Sequence, residues 1–311
     1  MSISDDKKIL IISTTALNRP PLHKDIFPNW IKWIKPICDD YDIHWFINID
    51  IIKNLPYTYE NTVFELRELI KTFDEDMNIT FHLSKCDGEQ GDFLKACKRL
   101  SLNIDNFIQD NIQEIDKEDI KIIWLEDDWK LHLNIIIPIE IILQNYSTQM
   151  SCVNLTFIRP NYIHALAPCI IAYPLWKKLH YNAWISQTSS MDPEHCVGVY
   201  YKNNFEDPLK TYNLTVINKV VNDTYFDQPF LNCLNSYYTF HKDGEECDDK
   251  RYVNKNEIKN KFNKDINLFV RISPTACGDG CGYGRKFLEE NGIFKNKNFN
   301  GKNHNDFYIL K

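Results

Sequence analysis

The sequence predicts an α/β fold whose central sheet is mostly parallel and flanked by helices. The segment 8–13, KILIIS, is a continuous apolar run, which is typical of a parallel strand buried on both faces. Strand-like and helical segments then alternate through the first half of the chain, and this alternation indicates βαβ units. The fourth predicted strand leads directly into three carboxylates, and open α/β sheets bind ligands at the carboxyl ends of their strands.

The order of the elements follows from the spacing of apolar residues. After the first strand, Pro20 and Pro21 interrupt the chain, Trp30, Trp33 and Ile34 have helical spacing, and Pro36 ends that stretch. The first half is further predicted to contain a strand over 41–48, a helix over 58–73 with Thr58 as its N-cap, a strand over 78–83, a helix over 92–112 and a strand over 121–125. The second half is predicted to contain a helix over 135–146, strands over 151–158 and 169–173, and a helix over 174–184.

The composition of the chain changes after about residue 240. A charged segment that begins at His241 is predicted to be an exposed connection, followed by a strand over 267–272 and a helix over 284–291. We therefore predict one core domain over 1–245 and a C-terminal extension over 246–311 that packs on it.

Charge and hydropathy exclude several classes of protein. The 311 residues carry a net charge of −7, which argues against a nucleic-acid partner because such proteins present a basic face. The N-terminal sequence has no signal-peptide pattern, and the longest apolar stretch, 135–143, is too short for a transmembrane helix. We expect a cytoplasmic protein without a transmembrane segment, whose ten cysteines are reduced.

Glu126, Asp127 and Asp128 are the strongest chemical signal in the sequence. Three adjacent acids at a strand end repel one another unless a cation neutralises them, and Mg²⁺ or Mn²⁺ takes one or two carboxylates together with phosphate oxygens. In an extended chain Glu126 and Asp128 point one way and Asp127 the other, so that two could face a ligand while one anchors the turn. A solvated acidic turn or a helix N-cap is the alternative interpretation.

A strand that ends in Glu-Asp-Asp resembles the Asp-x-Asp-type motif of the GT-A glycosyltransferases. The resemblance implies a GT-A-type, Rossmann-like single domain in which Asp128 binds Mn²⁺ or Mg²⁺ and Glu126 and Asp127 contact the donor. The implied activity is metal-dependent transfer of a sugar from a nucleoside-diphosphate donor, with UDP-sugars favoured, to a hydroxyl group of a glycan or glycoconjugate. The abundance of Asn, Ile and Lys indicates an AT-rich genome, viral or other.

The resemblance extends to the loops that follow the first three strands. It implies donor contacts from STTALNRP after the first strand, from the end of the second strand, and from the helix that follows KCDGEQGD. The implied donor-binding residues are Thr14, Thr15, Arg19, Asp50, Lys95 and Arg99. Lys95 and Arg99 are four residues apart and share a helix face. Taken singly, each of these residues is more often structural than functional.

Two carboxylates in SSMDPEHCVG precede a further predicted helix, with Pro193 suited to its first turn. Inverting GT-A enzymes have a catalytic base at a similar helix start, so the resemblance implies Glu194 as the base and Asp192 as the second choice. A simple Asp N-cap explains the same pattern equally well. The resemblance also implies His304 as a metal or phosphate contact, although a lone His in a polar tail is more often merely exposed.

The segment 276–284, ACGDGCGYG, has no assigned role. Its glycines permit a tight loop that could hold a phosphate, with help from Arg285 or Lys286, but it lacks the Lys-Ser/Thr ending of a P-loop. Cys277 and Cys281, with Cys247, give only a weak pattern for zinc.

Two other functions remain open from the sequence. Sugar nucleotidyltransferases share the acidic metal site but carry a glycine-rich signature after the first strand, and STTALNRP contains no glycine. A non-catalytic scaffold that binds a glycan or a partner protein would not need to keep all three carboxylates at residues 126–128.

Overall fold

The computed structural model describes twelve stretches of the chain. They are residues 7–51, 57–73, 77–85, 93–113, 116–127, 129–131, 138–144, 151–155, 168–188, 192–204, 213–216 and 269–271. The predicted helix over 284–291, the segment 276–284 and most of the predicted C-terminal extension lie outside these residues, so the domain boundary at 245 stays a prediction.

Strands and helices alternate through the first half as predicted. The strands are β1 (Lys8–Leu17), β2 (Tyr41–Asp50), β3 (Ile79–Lys85), β4 (Lys121–Glu126), β5 (Trp129–Leu131), β6 (Ser151–Asn154), β7 (Cys169–Ala172), β8 (Asn213–Val216) and β9 (Phe269–Arg271). The helices are α1 (Pro20–Ile34), α2 (Tyr59–Lys71), α3 (Phe93–Asn111), α4 (Ile139–Gln144), α5 (Tyr173–Trp176), α6 (Asn182–Ser186) and α7 (Pro193–Asn204). A π-helical segment, Lys177–Tyr181, joins α5 to α6.

The described strands form a main sheet in the order β3-β2-β1-β4-β7-β6-β8. The strands β3, β2, β1 and β4 are parallel to their neighbours, β7 is antiparallel to both β4 and β6, and β8 is parallel to β6. A separate antiparallel pair joins β5 to β9. The predicted α/β class, with a mostly parallel sheet flanked by helices, is confirmed.

The strand β1 is buried on both faces, as its apolar run predicts. Leu10 and Ile12 pack with α1 on one face, and Ile11 packs with α3 on the other. All three side chains have no exposed surface. The two faces of the sheet therefore belong to two separate hydrophobic clusters, and the site residues can be assigned to one face or the other.

Several element boundaries differ from the sequence prediction. Pro20 and Pro21 begin α1 instead of breaking the chain, because the first helical turn needs no backbone donors from its residues. The strand β1 extends to Leu17, beyond the predicted end at residue 13, because the polar residues that follow still pair with both neighbouring strands. The N-cap of α2 is confirmed, since Thr58 Oγ1 accepts a hydrogen bond of 3.1 Å from the Asn61 amide.

Among the described residues, no helix is both long and apolar enough to cross a membrane.

Two histidines pack between β2, β3 and α3. His44 Nδ1 lies 3.0 Å from His82 Nε2, and the His82 ring stacks on Phe46 with 4.2 Å between centroids. Phe107 from α3 covers His44 with a centroid distance of 4.2 Å. Burial and the neighbouring His44 lower the pKa of His82 to about 4, and burial lowers the pKa of His44 although Asp42 opposes this. Both rings are therefore neutral in the folded protein near pH 7.

The depressed pKa of His82 predicts a loss of stability in acid. The unfolded chain takes up a proton on His82 below about pH 6.5 and the folded protein only near pH 4, so the free energy of unfolding falls as the pH falls through this window. We expect a loss of roughly 2 kcal/mol from His82, allowing for its partial exposure. Urea unfolding at several pH values measures this loss. His82→Gln, which keeps a polar partner for His44, should flatten the pH dependence, and an unchanged dependence would contradict the assignment.

Candidate functional site

A row of polar side chains crosses the sheet at the carboxyl ends of its parallel strands. The strand register places Thr15 opposite both Glu126 and Asn48, and Asn48 opposite Ser84. Opposite residues of paired strands share a face of the sheet, and this face is the one that α3 covers. Glu126 of the acidic triplet therefore begins a continuous polar row over β4, β1, β2 and β3, and Asp50 lies on the same face at the end of β2.

This face of the sheet contains buried polar atoms that have no hydrogen-bond partner among the described residues. Ser84 Oγ donates a hydrogen bond of 3.0 Å to Asn48 Oδ1, whereas Asn48 Nδ2 and Ser13 Oγ, which lies two residues before Thr15, are such atoms. An unsatisfied buried donor costs about 1–3 kcal/mol, so a fold that retains one has a reason to keep it. The sequence did not single out Ser13 or Ser84, because isolated serines in a strand carry no pattern of their own.

The predicted donor-binding residues do not all lie on this face. The Thr14 hydroxyl accepts a hydrogen bond of 2.9 Å from Trp45 Nε1 on the opposite face, and both residues are fully buried. Thr15 lies in the polar row and is 6% exposed. Lys95 is exposed and Arg99 half-buried on α3, the helix above the row. The structure thus brings Thr15, Asp50 and Glu126 to one face and assigns Thr14 to the other.

Asp127 is held by a buried network at the start of α1. Arg19 Nε donates to Asp127 Oδ2 at 2.7 Å, and Arg19 Nη2 donates to Oδ1. His23 Nε2 lies 3.0 Å from Oδ2, and the Leu17 amide donates to the same oxygen at 2.9 Å. Arg19, His23 and Asp127 are each at most 5% exposed. His23 was not predicted, although its position four residues after Arg19 places both side chains on one face of α1.

The Asp127 carboxylate is charged in the folded protein. Burial alone would raise the pKa of Asp127, but the Arg19 charge and the hydrogen bonds from Arg19 and His23 outweigh this effect and hold the pKa well below its usual value. The ion pair is therefore permanent at neutral pH. Breaking such a pair by removing one partner leaves an uncompensated buried charge.

The other acids of the triplet differ in environment from Asp127. Glu126 is 8% exposed, and its Oε2 accepts a hydrogen bond of 3.2 Å from Trp129 Nε1. Trp129 begins β5 and lies opposite Arg271 of β9. Asp128 and His304, the predicted metal ligands, lie outside the described residues. Within the described part of the chain, no group of three or more Asp, Glu, His or Cys side chains is arranged to hold a metal ion.

The helix α7, which begins with two carboxylates, packs on the same face of the sheet as Glu126, since its Cys196 and Val197 lie in one cluster with Trp124 of β4. Asp192 caps the helix, since its Oδ1 accepts a hydrogen bond of 3.1 Å from the His195 amide. The buried Cys97 of α3 connects these groups: burial chiefly raises the pKa of its thiol, and the charges of Glu126, Asp192 and Glu194 raise it further. Cys97 was not recognised from the sequence, since a lone cysteine on an apolar helix face carries no signal.

Neither a protein-family model nor a curated protein sequence matches this chain. Solved structures do resemble it. One is the mannosyltransferase PcManGT from Pyrobaculum calidifontis in complex with GDP-mannose and Mn²⁺, with 10% identity, a TM-score of 0.39 and coverage of 76% of this chain. The chain spans 64% of the length of that protein. Another is the galactosyltransferase LgtC in complex with donor and acceptor sugar analogues, with 10% identity, a TM-score of 0.43 and coverage of 90% of this chain and 94% of LgtC.

Both identities and both TM-scores are low. The likeness is one of α/β fold, and the function of this chain has to be argued from its own residues.

The buried ion pair predicts a large cost for removing Asp127. Asp127→Ala leaves Arg19 buried without its carboxylate, so we expect the free energy of unfolding to fall by about 3–5 kcal/mol. Glu65→Ala is the matched control, because Glu65 of α2 forms an exposed ion pair of 2.5 Å with Lys24 of α1. The control should cost less than about 1 kcal/mol. Denaturant unfolding measures both, and equal losses would show that the Asp127 network contributes no more than a surface pair.

Proposed function

We propose that this chain is a metal-dependent glycosyltransferase that transfers a sugar from a nucleoside-diphosphate donor, a UDP-sugar first, to a hydroxyl group of a glycan or glycoconjugate. The observation that carries the proposal is the polar row at the carboxyl edge of the sheet, on the face that α3 and α7 cover. Glu126 begins that row at the end of β4, and α7, which starts at Asp192 and Glu194, packs on the same face through Cys196 and Val197. Inverting sugar transfer uses acidic groups in both places, one beside the departing diphosphate and one beside the incoming hydroxyl.

The polar row supports a site for the nucleoside part of the donor. Hydroxyl and amide groups from adjacent parallel strands meet at the carboxyl edge, where open α/β sheets bind ligands. Thr15 and Asp50 are the proposed contacts on this face. Lys95 and Arg99 are proposed for the phosphates because they are positively charged residues of α3, the helix that covers this face. Thr14 lies on the opposite face of the sheet and would support the site only indirectly, through its hydrogen bond with Trp45.

The residues at the end of β4 suit a hard divalent cation. Mg²⁺ and Mn²⁺ need only one or two protein carboxylates, because water and donor phosphates supply the other ligands. Asp128, with Glu126 beside it, would hold the ion, and His304 is proposed as a further ligand. When bound, the ion would neutralise the charge that develops on the diphosphate.

Donor binding is tested by thermal stability. We expect UDP and Mn²⁺ together to raise Tm more than either alone, because a ligand stabilises the folded state that binds it. GDP and CMP, run in parallel, identify the nucleotide. Asp128→Ala should remove the joint effect without lowering Tm of the free protein, and Asp119→Ala, at the opposite end of β4, is the matched control. A non-catalytic scaffold would show no joint effect, and survival of the joint effect in Asp128→Ala would make the acidic triplet structural.

Glu194 is the proposed base. It would accept the proton of the acceptor hydroxyl as the oxygen bonds to the donor carbon and the diphosphate departs with the electrons of the broken bond. Glu194→Gln should therefore lower kcat by at least ~100-fold with nearly unchanged donor affinity. Asp192→Asn is the comparison, because Asn still caps α7. A loss confined to KM would make Glu194 a binding residue, and a loss found only in Asp192→Asn would move the role to Asp192.

A further inference from the structure

The Asp127 side chain completes the hydrogen-bond ladder between β1 and β4. Thr15 pairs with Glu126, and the Asp127 amide donates to the Thr15 carbonyl at 3.0 Å, as a regular parallel ladder requires. The next bond of that ladder would join the Leu17 amide to the Asp127 carbonyl. Instead, Leu17 donates to the Asp127 carboxylate at 2.9 Å. The side chain thus takes the place of its own carbonyl, and the backbone is free to leave the sheet at this residue.

The remaining acceptor sites of this carboxylate are occupied by α1. Oδ2 binds Leu17, Arg19 and His23, and Oδ1 binds the second nitrogen of the Arg19 fork. A carboxylate has about four lone-pair sites, so these four bonds satisfy it within the protein. At 2% exposure it is also closed to solvent. The four bonds of Asp127 therefore face inward, to the end of β1 and the start of α1.

We propose that Asp127 is a positioning residue, oriented by Arg19 and His23, which fixes the end of β4 from which Glu126 reaches the donor. The inference rests on the proposed function and replaces the donor contacts that the sequence resemblance implied for Arg19 and Asp127, since these two residues bind each other. The physical reason is the direction in which the chain continues after β4. A parallel strand that continued past Glu126 would carry the chain along the sheet. Instead, the side-chain bond to Leu17 ends the ladder at Asp127, and the next described strand, β5, pairs with β9 outside the main sheet.

A double-mutant cycle separates this role from independent donor contacts. Arg19→Gln and Asp127→Asn, singly and together, are titrated with UDP and Mn²⁺ by calorimetry. We expect each single variant to weaken binding by at least ~10-fold and the double variant to be within ~3-fold of the weaker single variant, because residues that act as a unit are not additive. Additive losses would overturn the proposal, and so would unchanged binding in both single variants.

The Arg19→Lys variant provides a second way to distinguish a positioning role of Arg19 from a direct contact with phosphate. Arg19→Lys retains the charge but not the paired donors that hold both carboxylate oxygens. A residue that contacts a phosphate tolerates Lys, because Lys binds phosphate as a point charge. The positioning role predicts that Arg19→Lys loses binding as Arg19→Gln does, and retention of wild-type binding would contradict it. Lys24→Gln, which removes an exposed positive charge next to His23 on α1, is the control and should bind UDP and Mn²⁺ as the wild type does.

Hydrogen exchange provides a readout that does not depend on activity. In the ligand-free wild-type protein the Leu17 and Asp127 amides should be protected, and Asp127→Ala should speed exchange of the Leu17 amide by more than its general loss of stability speeds exchange of the β2 amides. If wild-type protein binds no nucleotide with Mn²⁺, the proposed function fails. The exchange result still tests whether the Asp127 side chain holds the end of the β1–β4 ladder. Should single variants not fold, Arg19→Met with Asp127→Leu removes both charges and should restore stability. Normal nucleotide binding by that double variant would overturn the proposal.

Discussion

The strand β1 is the element on which the rest of the described structure depends. It pairs with β2 on one edge and with β4 on the other, and helices cover both of its faces. Because β1 is paired on both edges and packed on both faces, the position of its C-terminal end is fixed within the fold. The residues that follow its end, from Leu17 to Arg19, and the residues opposite, from Glu126 to Asp127, are therefore brought together by the sheet before any ligand is present.

A buried charge at this point is a constraint as well as a contact. Asp127 would be costly to bury alone, and Arg19 would be equally costly without it, so each requires the other. The pair joins Arg19, which follows β1, to Asp127, the middle residue of the acidic triplet at the end of β4. Because both charges lie inside the protein, salt in solution screens the pair little.

Local patterns predicted the elements well and the contacts between them poorly. The apolar runs of β1 and β4 and the N-cap of α2 are encoded over a few neighbouring residues, so the sequence alone was sufficient. The end of β1 was placed too early, because Thr14 and Thr15 are polar residues in a strand that meets a candidate ligand site. Asp192 does cap α7, the alternative that the sequence left open.

The Arg19–Asp127 pair could not have been predicted from local patterns. Its members are 108 residues apart in sequence, and their meeting depends on the strand order, which local patterns do not specify. The same applies to Cys97, whose neighbours come from β4 and from α7. The π-helical segment before α6 likewise has no sequence signal that we recognise.

The pairing of β5 with β9 has a consequence for synthesis of the chain. The strands β1 to β4 are complete once residue 126 has been made, whereas β5 finds its partner only after residues 269–271 have emerged. Synthesis proceeds from the N-terminus, so Glu126 and Asp127 can take their places in the nascent chain first. More than a hundred further residues are then added before β9 can pair with β5. On the ribosome, the sheet edge forms early and its neighbouring strand pair forms late.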